Sequence, residues 1–73
     1  MKLPIIIWKE DDMYIVQEIT TGVTTQGKTI EEALENIKEA LELYFEEKPE
    51  EIERIKGLKI EGLLNVEVTL AVG

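Results

Sequence analysis

At 73 residues the chain has room for one small domain, because a domain takes about 50 to 250 residues and two cores could not both be buried here. It contains no cysteine and no histidine, which excludes disulfides, thiolate metal sites and cysteine nucleophiles and argues against zinc enzymes and triad hydrolases, whose usual ligand and general base is histidine. A formal net charge of -8, from 16 acidic against 8 basic side chains, disfavours direct nucleic-acid binding, which rests on clustered lysine and arginine, and makes a basic partner the natural complement.

The run Leu3-Pro-Ile-Ile-Ile-Trp8 is β-branched and is followed by Lys9-Glu10-Asp11-Asp12 and a second β-rich run, Met13-Tyr-Ile-Val-Gln-Glu-Ile19. Together they predict a hairpin, with Asp11 and Asp12 supplying residues that tolerate the positive φ of a tight turn. Pro4 fits only a strand start or an edge. Thr20 to Gln26, threonine-rich and bracketed by Gly22 and Gly27, predicts a short third strand entered through a bend. Thr29-Ile-Glu-Glu32 is a capping box, in which a threonine and a glutamate satisfy orphan amides at a helix start. Apolar residues then recur at Ile30, Ala33, Leu34, Ile37, Ala40, Leu41, Tyr44 and Phe45, the 3-4 repeat of an amphipathic helix. Lys48-Pro49 ends it, since proline drives its predecessor out of the helical region, and Glu50 to Ile55 predicts a short acidic turn before Gly57. After Gly62, Leu64, Val66, Val68, Leu70 and Val72 alternate with other residues, as a half-buried strand requires.

The predicted fold is α+β in the order β-β-β-α-β, a single domain over 1–73. A three-stranded antiparallel meander has one main helix on one face, and the last strand returns through a helical crossover to lie beside an earlier one, the first. Leu3, Ile5 and Ile7 point one way on the first strand and Ile6 and Trp8 the other. One set belongs under the helix and the second lacks a cover. Exposed apolar patches mark association surfaces and tryptophan is enriched in interface hot spots, so Ile6, Trp8 and Tyr14 are candidate interface residues of a homo-oligomer; the alternative is that Trp8 closes the core edge. Between residues 31 and 53 ten glutamates stand against Lys38 and Lys48, while outside that segment six acids balance six bases. The net charge therefore sits on the helical region, where Glu35, Glu39, Glu42 and Glu46 are candidate partner contacts and a solvated face is the plain alternative.

Two motifs invite chemistry. Gly22-Val-Thr-Thr-Gln-Gly-Lys-Thr29 matches the phosphate-loop pattern G-x-x-x-x-G-K-[ST], with Lys28 and Thr29 in the phosphate and magnesium positions. The only later strand offers no metal-binding aspartate, the chain is too short for the doubly wound sheet of such enzymes, and Thr24, Thr25 and Thr29 are needed for strand and cap, so a nucleotide site is a remote reading. Glu10-Asp11-Asp12 could hold a hard cation through oxygen, but consecutive side chains diverge on a hairpin and a solvated turn is the favoured reading. No cofactor or metal is expected. The longest apolar run, Leu3 to Trp8, is far short of the roughly 20 residues of a membrane span, and the expected location is cytoplasmic.

The stretch from Gly22 to Tyr44 resembles the HicB antitoxin family. That family's pattern is a hairpin, a segment ending P-x-L-P-G-C/V-x-T-x-G, and a helix reading T-x-E-E-A-x-x-x-x-x-E-A-L-x-x-Y. The matching positions are Gly22, Thr24, Gly27, Thr29, Glu31, Glu32, Ala33, Glu39, Ala40, Leu41 and Tyr44, and Gly22, Gly27 and Thr29 already account for all but Lys28 of the phosphate-loop match. The resemblance implies a partial ribonuclease H-like fold that binds and occludes HicA, a small basic mRNA-cleaving toxin. Two departures qualify it: Glu18-Ile-Thr-Thr21 replaces the P-x-L-P segment, and no basic DNA-binding module follows within 73 residues, so operon autorepression is not expected. The first strand, Ile5 to Trp8, also lacks the catalytic aspartate of ribonuclease H, so nuclease activity is not carried over. The expectation is an antitoxin-like, non-enzymatic interaction protein, with a solitary oligomeric module as the alternative.

Overall fold

The computed structural model describes residues 1–71. It places β1 (Ile5–Glu10), β2 (Met13–Glu18), β3 (Thr24–Gly27), α1 (Ile30–Glu47) and α2 (Glu50–Lys56) in chain order, the α+β arrangement of three antiparallel strands followed by a long helix. The sheet order is β1-β2-β3. Glu10 pairs with Met13, so the hairpin turn holds only Asp11 and Asp12. Asp11 alone takes the left-handed conformation, at φ 52, which aspartate tolerates better than most residues.

Directly opposed residues of neighbouring strands share a sheet face. The pairs Ile5↔Glu18, Ile7↔Val16 and Lys9↔Tyr14, extended by Val16↔Thr25, therefore define one face. Ile6↔Gln17 and Trp8↔Ile15 define the other. Helix α1 covers the first of these by packing against β2 and β3, and the core forms there from Val16, Ala33, Ile37 and Leu41, with Leu3, Ile5, Tyr14, Val23 and Phe45 around it.

The helix starts where the capping box requires. Thr29 is extended (φ -128) and its Oγ1 accepts from the Glu32 N–H at 3.0 Å. The returning bond goes one residue further than a standard box, with Lys28 N–H donating to Glu32 Oε1 at 3.3 Å. At the other end Lys48 N–H still donates to the Tyr44 carbonyl at 2.9 Å before Pro49 turns the chain into α2. That second helix buries Ile55 and is fastened by Arg54, whose Nη2 donates to the Thr20 carbonyl at 3.0 Å.

Two sequence expectations are revised. The helix-facing side of β1 is not fully buried: Ile7 shares a face with Val16 yet is 38% exposed, because α1 lies over β2 and β3 and leaves the β1 side of the sheet open. The run expected as a last strand beside the first, from Leu64 to Val72, adds no strand to the sheet among the described residues; 58–71 carries no regular structure, and Val72 lies outside them. Alternation specifies which side chains will share a face, but the hydrogen-bonding edge must come from elsewhere.

Candidate interaction surfaces

On α1, positions 35, 39, 42 and 46 follow the i, i+4, i+7, i+11 spacing of one helical stripe. Glu35, Glu39, Glu42 and Glu46 are all exposed, on the side of the helix away from the buried Ala33, Ile37 and Leu41. The structure thus brings together all four acidic residues singled out from the sequence. Their positions are fixed by a helix whose opposite face is the core, so the carboxylates form a rigid row.

The apolar candidates divide. Ile6 and Trp8 stand together on the uncovered sheet face, 40% and 37% exposed, beside Ile15 of β2. The Trp8 indole Nε1 donates to Glu10 Oε1 at 3.0 Å, which leaves the ring lying on that face with its polar atom satisfied. Tyr14 belongs to the opposite face: it packs against the core and its ring receives the Lys9 ammonium 5.5 Å from its centre. It therefore does not join the Ile6–Trp8 patch.

The stretch Gly22 to Thr29 is not arranged as a cradle. Gly22, at φ 78, ends the turn after β2. Thr24 to Gly27 pair with β2, and Thr29 is engaged as the helix cap. Gly27 is required by space, since a Cβ there would lie 2.5 Å from the Ala33 nitrogen. Among the described residues no three acidic side chains converge on a position that could hold a metal ion, and no helix is long and apolar enough to cross a membrane.

Sequence reasoning missed the most highly organised polar group. Glu18, at the end of β2, is 0% exposed. It accepts from the Thr20 N–H at 2.9 Å and the Thr20 hydroxyl at 2.8 Å, and from the Thr21 N–H and hydroxyl, both at 2.7 Å. Burial pushes its carboxyl up, but these bonds, led by the Thr20 backbone N–H, outweigh it and hold the group below its ordinary value. The signal was present as a glutamate followed by two threonines, since hydroxyl side chains favour local turn bonding. The segment that departs from the HicB pattern is thus a carboxylate-centred turn.

A second polar cluster joins the helices to that turn. Glu51 accepts from the Tyr44 hydroxyl at 2.7 Å and from Arg54 Nε and Nη2, both at 2.8 Å. The Arg54 guanidinium and then the Tyr44 hydroxyl hold the Glu51 carboxyl down at about 2, against an ordinary 4.5. A depressed carboxylate contributes stability that is complete above its unfolded value and is lost as pH falls through the folded one. The wild-type chain should therefore lose resistance to urea as pH falls from 4.5 toward about 2, and Glu51→Gln should show a shallower decline in that window. Superimposable pH profiles would show that the cluster contributes nothing.

Comparison with known proteins places these features in context. The profile of a family of unknown function (DUF7387) matches residues 3–67. A UPF0150 protein of Archaeoglobus fulgidus is 44% identical over 50 residues, which is 66% of this chain and 72% of that protein. A UPF0150 protein of Thermoplasma acidophilum is 46% identical over 57 residues, 75% of this chain and 83% of its own length. No solved structure matches the chain.

Proposed function

We propose that this chain, which belongs to the DUF7387 family of unknown function, acts by binding: it is a non-enzymatic, cytoplasmic, antitoxin-like protein that neutralises a small basic mRNA-cleaving toxin of the HicA type by covering its RNA-binding surface. The observation that carries this reading is the exposed row Glu35, Glu39, Glu42 and Glu46 on a helix anchored by the core. A surface that binds RNA is rich in lysine and arginine because it must neutralise phosphates. Carboxylates spaced along a rigid helix compete for the same cations and draw the basic partner in from a distance.

Calorimetry with a small basic protein of the HicA type tests the proposal. The double reversal Glu35→Lys and Glu42→Lys should weaken binding about 10-fold or more, since opposed charges become like charges, and wild-type binding should weaken with salt. The same variant should lose the ability to suppress RNA cleavage by the toxin while keeping its helical circular dichroism. Absence of binding, or binding indifferent to charge reversal, would remove this reading. The exposed Ile6 and Trp8 support a second one, a solitary module that works by self-association. A monomer by light scattering, unchanged by Trp8→Ala, would count against it.

A further inference from the structure

The open side of β1 is more than a gap. Leu3 and Ile5 form one wall of an apolar groove of about 400 Å³, and Leu34, Ile37, Leu41 and Phe45 of α1 form the other, with Lys38 and Glu42 at its rim. Beside it β1 is an edge of the sheet, paired among the described residues only to β2, so one row of its backbone N–H and C=O groups is free to accept another strand. The chain also carries a segment with the complementary pattern. Leu64, Val66, Val68 and Leu70 are 90%, 82%, 66% and 71% exposed, and Asn65, Glu67 and Thr69 alternate between them. Among the described residues nothing from 59 onward is hydrogen-bonded to the folded body.

We infer that the segment from Leu64 to Leu70 is the strand that fills this groove, and that it does so on a second copy of the chain, giving a dimer by reciprocal strand exchange. Length agrees: seven residues at about 3.3 Å each reach about 23 Å, the span of β1 with the residues that precede it. Charge agrees as well. From Gly57 onward the chain holds one lysine against two glutamates, Lys59, Glu61 and Glu67, so the tail brings little of the net charge of -8 to the groove, and of the carboxylate row only Glu42 stands at its rim, beside Lys38. Shape argues for a second copy. The radius of gyration is 14.8 Å with a longest extent of 46 Å, against about 11 Å for a compact chain of this size; the tail extends away from its own groove and leaves it open. Exchange closes a two-fold pair in which each copy gives one strand and receives one, the geometry of a domain swap, and turns two exposed alternating segments into two four-stranded sheets. This inference goes beyond self-association through Ile6 and Trp8, which lie on the opposite sheet face, and does not depend on toxin binding.

Light scattering on the full chain should give a mass of twice 8.3 kDa. The pair Val66→Glu and Val68→Glu should convert it to a monomer while the helical circular dichroism is retained, and Trp8→Ala should leave the dimer intact. Because the chain has no cysteine, cross-linking is clean: equimolar Ile7→Cys and Val66→Cys chains, mixed and oxidised, should form a heterodimeric disulfide. Both positions are central in their segments, so the test holds for either strand direction. A monomeric wild type would overturn the proposal. So would a dimer dissolved by Trp8→Ala and not by the tail pair, or a doubly substituted chain that closes its disulfide only within itself. None of these results bears on the affinity for a basic toxin.

Discussion

Replacing Glu18 with glutamine should lower the unfolding free energy by about 1.5–3 kcal/mol, the range for losing hydrogen bonds to a charged group. Thr20 and Thr21 each present a backbone N–H and a hydroxyl to it, four donors in all, and a carboxylate has acceptors on both oxygens. Glutamine keeps one acceptor oxygen and turns an amide NH2 toward the remaining donors, leaving at least one part-buried backbone N–H without a partner. Glu18→Asp keeps the acceptors but shortens the reach, so its effect should be smaller. The urea midpoint measures both, and a glutamine variant within about 0.5 kcal/mol of wild type, the level of an ordinary surface substitution, would mean that the turn does not depend on the carboxylate.

Gly27→Ala should be comparably damaging for a steric reason. The added Cβ would sit 2.5 Å from the Ala33 nitrogen and 3.0 Å from the Ala33 Cα and the Glu32 carbonyl carbon. These are backbone atoms and cannot rotate aside. The first turn of α1 must lift from β3, and Ala33, itself at 0% exposure in the core, must move with it. Overpacking of this kind costs about 1–3 kcal/mol, a large share of the roughly 4–11 kcal/mol that a chain of this length has. A thermal midpoint unchanged from wild type would show that the helix and strand can separate without penalty.

What could be read from the sequence was what is local. Thr29 and Glu32 mark the start of α1 because both partners of the cap lie within one turn, and Pro49 marks its end by sterics alone. Asp11-Asp12 placed the hairpin, and once the helix was placed its spacing put Glu35, Glu39, Glu42 and Glu46 in one row. What could not be read depended on which elements meet. A glutamate at the end of a strand reads as solvated until Arg54 and the threonine turn enclose its end of the sheet. Tyr14 was grouped with Ile6 and Trp8, although the pairing Lys9↔Tyr14 puts it on the other face; register decides this, and register is set across strands. The alternation from Leu64 to Leu70 was legible as strand chemistry and β1 as its expected neighbour, but among the described residues the segment pairs with no strand of its own chain.

The contact between Arg54 and Thr20 has a kinetic consequence. The hairpin closes over two residues and the helix bonds span four, but this contact joins groups 34 positions apart. Chain closure becomes more costly in entropy as the loop lengthens, and contacts distant in sequence are made once local ones have reduced the search. The docking of α2 thus belongs late in folding, after the hairpin and α1 are in place. Weakening it should speed unfolding more than it slows refolding, which makes Arg54 a latch on a structure already assembled.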